Sequence, residues 1–263
     1  MNLDKLVASF GEQQVAGLML VLARIAPLFL LAPLFSSKML PARARSIVAV
    51  ALAMGIAPLA LHGRAGRVPT DVLDYATLMG KELLVGLAFA FALGALFAAV
   101  SVAGQFADTL VGFSFGSLVD PLTGNQGGVL AQVYAMVGLL VLVAINGDAW
   151  IIQGLARTYD AVPLAAMPDV RSLIAGAESA FTGIFGAALE VCAPIVIAML
   201  LTDTAFGLVA RMMPQLNVFA VGFPAKVVVG LLLLGASLPF AGGWIADGLQ
   251  GSVASALHAL KVG

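Results

Sequence analysis

Residues 104–128 read GQFADTLVGFSFGSLVDPLTGNQGG and separate two long apolar stretches. The run holds Gly104, Gly112, Gly116, Gly124, Gly127, Gly128 and Pro121, and carries no charge between Asp108 and Asp120. Three phenylalanines, Phe106, Phe113 and Phe115, stand among glycine and serine. A loop facing water is ordinarily polar. A helix crossing a membrane does not concentrate glycine and proline in this way. Irregular backbone at membrane depth is tolerated where protein or an aqueous cavity surrounds it. The stretch therefore reads as a channel lining, a re-entrant loop, or a mimic of a serine nucleophile.

Composition sets the surroundings. Of 263 residues, 61% are hydrophobic and 10% charged, with a mean hydropathy of +1.06. Soluble domains are about 25% charged, so this is an integral membrane protein. The net charge of -1 gives no field favouring nucleic acid. One cysteine, Cys192, lies in an apolar run, and His62 and His258 are far apart, so no metal-ligand cluster is expected. The N-terminus, with Asp4, Lys5 and Glu12 before a long apolar run, does not read as a signal peptide.

Outward from the central stretch, six apolar segments follow from hydropathy. The first runs from about Val15 to Phe35, with Arg24 inside and a kink or end expected at Pro27 and Pro33. A basic loop, Ser36 to Arg45, precedes a second segment from Ser46 to Leu61. The third begins near Leu78 and is free of charge from Leu83 to Ala107. There Gly86, Ala90, Gly94 and Ala98 place small residues on one helix face, which allows close helix approach. The fourth runs from Val129 to Ile145 and stops at Asn146-Gly147-Asp148. Trp150 and Tyr159 follow in an interfacial stretch broken at Pro163 and Pro168. The fifth, Ser172 to Leu201, is interrupted by Glu178, Glu190 and Pro194. A break from Asp203 to Gln215 leads to the last, Leu216 to Trp244, which contains Lys226, and then to a weakly amphipathic tail. Basic residues in consecutive loops, Lys38, Arg43 and Arg45 and then Arg64 and Arg67, give no consistent orientation by the positive-inside rule.

Ionised residues cost about 2.5–3.5 kcal/mol each at a membrane helix centre. Arg24, Glu82, Asp108, Glu190, Asp203, Arg211 and Lys226 are therefore expected to be paired, near an interface, or turned to water or protein. Gly112-Phe113-Ser114-Phe115-Gly116 matches the G-x-S-x-G nucleophile elbow, which needs a strand–turn–helix and a nearby histidine. Neither accompanies it in sequence, so the glycines are read as hinges and catalysis is not expected. No Walker A motif is present.

Several motifs in order carry a resemblance. They are Lys81-Glu82-Leu83-Leu84-Val85-Gly86, Ala103-Gly104, Gly112-Phe113-Ser114-Phe115 and Val119-Asp120-Pro121. Asn146-Gly147 and Met213-Pro214-Gln215-Leu216-Asn217-Val218-Phe219 with Gly222-Phe223-Pro224 complete the set. Together they resemble the FliR family, the R subunit of the flagellar type III export gate, whose injectisome counterpart is the T subunit. Asp148 departs from the pattern, since many relatives carry histidine after Asn-Gly. The resemblance implies an all-α integral membrane protein with about six long, partly broken apolar segments. Residues 1–171 would form a P-subunit-like part and 172–263 a Q-subunit-like helical hairpin and tail. It implies no enzymatic activity and no cofactor. The implied partners are P and Q subunits, the export switch protein FlhB, the large export protein FlhA and unfolded flagellar substrates. The implied location is the bacterial inner membrane at the flagellar basal body. Many apolar helices would then face partner subunits rather than lipid. The pore plug falls by position on Leu110, Val111, Gly112, Phe113, Ser114, Phe115, Gly116 and Ser117, with Phe113 and Phe115 occluding. Glu82, Gly86, Asp120, Pro121, Pro214, Gln215, Asn217, Gly222 and Pro224 are the structural motif positions. The alternatives are an injectisome gate subunit and a stand-alone secondary transporter with glycine- or proline-broken half-helices.

Overall fold

A computed structural model describes residues 12–36, 41–61, 71–114, 128–164, 166–215 and 217–261. Among them the ordered elements are helices: α1 Glu12–Ile25, α2 Leu28–Leu31, α3 Ala42–Leu61, α4 Val72–Val111, α5 Val129–Ala144, α6 Gly147–Ala161, α7 Val170–Met212 and α8 Val218–Lys261. Five helical stretches are long and apolar enough to cross a membrane. Six are, if α5 and α6 count as one broken span. The all-helical, membrane-embedded expectation holds.

Element ends follow from local chemistry. Pro27 separates α1 from α2, as proline in the first segment required. Asn146, with φ 54° and ψ 41°, takes the left-handed conformation that asparagine tolerates and ends α5. Asp169 caps α7: its carboxylate accepts the Arg171 amide at 3.1 Å and the Ser172 hydroxyl at 2.6 Å. Asn217 caps α8, its Oδ1 accepting the Ala220 amide at 3.2 Å.

Three expectations are corrected. The basic loop is shorter than drawn, because Arg43 and Arg45 already belong to the first turn of α3. The fifth segment is not interrupted: α7 runs 43 residues through Glu178, Glu190 and Pro194. A proline removes one backbone bond, a loss that the many remaining bonds of a long helix can absorb. The hairpin break spans only Met213 to Asn217, so Asp203 and Arg211 are helical, and α8 continues through the weakly amphipathic tail.

The chain divides into two compact units. Unit 1 comprises Met1–Gly94, Asn146–Ala180 and Gln250–Gly263; unit 2 comprises Ala95–Ile145 and Phe181–Leu249. Both draw on residues either side of position 171.

In unit 1, α1 lies along α3, and the small-residue face of α4 meets α1 and α2. A Cβ at Gly86 would overlap the Arg24 carbonyl, and one at Gly94 would touch the Leu31 carbonyl at 3.4 Å. Close backbone approach thus requires glycine at Gly86, whereas at Gly94 a side chain would make only an ordinary contact. In unit 2 the core is built on Val100, Ala103, Tyr134, Val191, Ile195 and Ile245, all fully buried. The Tyr134 and Ser237 hydroxyls meet there at 3.1 Å.

Candidate functional site

Five of the seven charges flagged in apolar segments resolve into three arrangements. In unit 1, Arg24 is completely buried at the last turn of α1. Its Nε donates to Glu82 Oε2 at 2.6 Å, and its Nη1 donates to the Val162 carbonyl at 2.9 Å and to Thr158 Oγ1 at 3.4 Å. The guanidinium also lies 4.0 Å over the Tyr159 ring. One arginine thus neutralises Glu82 on α4, binds the carbonyl that ends α6, and stacks on an α6 aromatic. Buried ions need such compensation. The planar fork of arginine serves these partners at once.

In unit 2, Lys226 of α8 is ion-paired with Asp203 of α7 across the hairpin. The expected break beginning at Asp203 gives way to this pairing within the helices.

The third arrangement stands at both ends of the 104–128 stretch. Asp108, buried in the last turns of α4, accepts the Leu130 amide on Oδ1 and the Ala131 amide on Oδ2, each at 2.9 Å. These are the second and third residues of α5, whose own N-cap, Gly128, supplies no side-chain bond. Asp108 is therefore an N-cap delivered from another helix, and its negative charge suits the positive end of α5. Gly128 is required here, because a Cβ would overlap the Asp108 carboxylate. Gly104, one turn earlier, meets the Ala131 backbone, where a Cβ would also overlap. The chain leaving α4 and the chain entering α5 are thus fastened together.

α4 ends at Val111, and Gly112 turns the chain with φ 100°, a value that side-chain-bearing residues rarely take. Val111 is fully buried against Gly230 of α8. Leu110 and Phe113 are half-buried and pack on the unit 2 core. Ser114 Oγ lies 3.4 Å from Thr109 Oγ1, which itself donates to the Gln105 carbonyl at 2.9 Å. The described part of the G-x-S-x-G match, Gly112 to Ser114, therefore sits at a helix C-terminus rather than after the strand that an elbow uses. Phe115, Gly116, Ser117, Asp120 and Pro121 lie outside the described residues.

The remaining motif positions have structural explanations. Glu82 and Gly86 serve the Arg24 centre. Pro214 and Gln215 form the turn after α7, and Asn217 starts α8. Gly222 faces the Phe206 ring, 3.6 Å from a Cβ position, and Pro224 lies inside α8. No group of three or more histidine, cysteine, aspartate or glutamate residues that could hold a metal ion occurs among the described residues. Unit 1 also holds an open recess of about 560 Å³ beside the α6–α7 connection, lined by Val162, Pro163, Met167, Pro168, Asp169 and Leu260. Asp169 alone is ionisable in it, and it is already engaged as the α7 cap.

Sequence reasoning flagged Asp108 only as a charge needing compensation. A readable signal did exist: Gly128 opens α5 with no side chain of its own to cap it.

Comparison with known proteins places these features in a family. The model for "Bacterial export proteins, family 1" matches residues 15–251. The chain is 32% identical over 218 residues to the flagellar biosynthetic protein FliR of Escherichia coli K12, covering 83% of this chain and 82% of that protein. It is 33% identical over 222 residues to FliR of Bacillus subtilis 168, covering 82% and 83%. The surface presentation of antigens protein SpaR of Shigella flexneri is 26% identical over 215 residues, covering 81% and 82%.

Proposed function

This chain belongs to the FliR family of bacterial export proteins, and from that premise we propose that it is a non-enzymatic subunit of the flagellar type III export gate. In this reading Leu110 to Ser117 plug the channel through which unfolded flagellar proteins leave. The proposed partners are P and Q subunits, FlhB and FlhA, in the inner membrane at the basal body. The flagellar reading is favoured over the injectisome one by 32–33% identity to two FliR proteins against 26% to SpaR.

Helix length supports a subunit surrounded by protein. α4, α7 and α8 contain 40, 43 and 44 residues. At 1.5 Å per residue each is about 60–66 Å long, against a hydrocarbon core of about 30 Å. A tilt of about 40° still leaves roughly 46 Å along the normal. The excess apolar length needs a cover other than lipid. Large apolar side chains are exposed along α7 from Phe181 to Met212. Partner subunits would supply that cover and remove the need for one consistent orientation of basic loops.

The observation that carries the plug is the fastening beneath it. Asp108, Gly104 and Gly128 fix where the segment starts and ends, while Gly112 supplies a turn that other residues resist. A segment held at its base can occlude a passage, and the glycine-rich sequence beyond that base would let it yield to substrate. Apolar rings there would exclude ions by filling and dewetting the gap.

Deleting Leu110 to Ser117 tests the reading. The assembled complex should become permeable to small ions. Background permeability in a fully assembled complex would refute the plug. Phe113→Ala with Phe115→Ala should leak partially and retain export; loss of assembly would instead assign these rings to core packing.

A further inference from the structure

Glu190 lies near the midpoint of α7, is the one charge between Ser179 and Leu201, and is exposed. It has no hydrogen-bond or ion-pair partner among the described residues, unlike Arg24, Glu82, Asp108, Asp203 and Lys226. At 100° per residue, Gly183, Gly186, Pro194 and Ile197 fall within about 40° of it on the same face. All four are exposed. A side chain at Gly183 or Gly186 would meet no atom of this chain within 4 Å. Pro194 has no N–H, so the Glu190 carbonyl lacks its regular helical donor. The centre of this face thus combines a carboxylate, an undersupplied carbonyl and two glycines that let another backbone come close. Hydrocarbon would leave both acceptors unsatisfied.

We propose that the α7 face carrying Gly183, Gly186, Glu190 and Pro194 docks an apolar helix of another subunit that presents a lysine or arginine to Glu190. Charge complementarity selects this occupant: a carboxylate with no partner among the described residues and a carbonyl without its regular helical donor share this face, and a cationic donor on a closely packed helix serves both. The glycines set the approach distance, and the charge sets the register. The proposal rests on the reading of the chain as one subunit of a multi-subunit gate.

The test uses the full gate complex, co-expressed and resolved on native gels, with the level of this chain in the membrane measured in parallel. Glu190→Lys should lower the yield of assembled complex tenfold or more at an unchanged chain level, with Glu190→Gln falling between it and wild type. Gly186→Leu should lower yield likewise, although the chain itself has room for the side chain. Reversing one lysine or arginine to glutamate in a helix of another subunit should restore assembly of Glu190→Lys. Wild-type yields from Glu190→Lys and Gly186→Leu would assign the face to lipid or water and overturn the proposal while leaving the gate reading intact. Restoration only by a basic residue of this same chain would make the occupant a second copy and overturn it. A wild-type chain that purifies alone, stable and transport-active, would overturn the gate reading and this proposal together.

Discussion

Replacing Asp108 by alanine should loosen the start of α5 without unfolding the helix bundle. The carboxylate satisfies two amides, those of Leu130 and Ala131, at 2.9 Å each. Leu130 is fully buried and Ala131 nearly so, which keeps water from replacing the lost acceptor. A buried donor left unsatisfied costs about 1–3 kcal/mol, so two cost roughly 2–6 kcal/mol. Removing the carboxylate also removes its own desolvation, which brings the net to about 2–4 kcal/mol. That is at or above the usual range of about 0.5–2 kcal/mol for losing an N-cap side chain. With 1.4 kcal/mol per tenfold, local opening should become roughly 30 to 700 times more frequent. Hydrogen exchange at the Leu130 and Ala131 amides, in detergent or nanodiscs, reads this directly. Far-UV circular dichroism should show unchanged helix content. Asp108→Asn keeps one acceptor oxygen and should lie between. Gly128→Ala gives an independent arm: its Cβ collides with the Asp108 carboxylate, so its cost should shrink in the Asp108→Ala background. Protection at both amides within threefold of wild type, together with additive effects of the two substitutions, would refute the cap.

Breaking the buried pair should be costly from either side: Arg24→Ala or Glu82→Ala should lose about 3–5 kcal/mol in detergent unfolding, and the double variant less than the sum. Arg24→Lys should not rescue, because an ammonium cannot serve Glu82, Val162 and the Tyr159 ring in one geometry. A loss under about 1 kcal/mol for the single variants would contradict the burial argument. Asn217→Ala should cost about 1 kcal/mol by removing the α8 cap, and Asn217→Ser should recover most of it in the same assay. The Ser172 hydroxyl, followed by the amides of Arg171 and Ser172, holds the exposed Asp169 carboxyl below its ordinary value. Because the folded value is lowered, this contribution is fully present above the unfolded carboxylate value of about 3.9 and fades as pH falls through the folded one. Ser172→Ala should move the Asp169 titration upward in an NMR pH series, and an unmoved titration would dismiss the hydroxyl as the cause.

What the sequence made legible was what depends on neighbours along the chain. Pro27 and Asn146-Gly147 marked real breaks, and of the four-residue series Gly86, Ala90, Gly94 and Ala98, Gly86 marked a real close backbone approach. Helix ends were misjudged where charge was taken as a terminus. Asp203 and Arg211 lie within α7, because Asp203 is compensated by Lys226 on the returning helix. Pairing between distant positions was invisible: Arg24 and Glu82 are 58 residues apart, and Asp108 reaches Leu130 across 22. Hydropathy says that a charge at depth must be compensated and is silent on where.

That rule nevertheless gains force once the partners are known. Arg24, Glu82, Asp108, Asp203 and Lys226 are each engaged inside the chain, and each joins two or more helices. Arg211 sits in the last turn of α7, where a positive charge is favoured by the helix dipole. Glu190 has no internal partner among the described residues and lies away from either helix end, and its face carries glycines that leave the backbone open. The same physics that assigns the other charges to intramolecular contacts therefore assigns Glu190 to an intermolecular one. Under the proposed gate reading, the plug and the α7 face would be related requirements of one assembly, since a segment fastened by Asp108 could occlude a passage only if other subunits complete its wall.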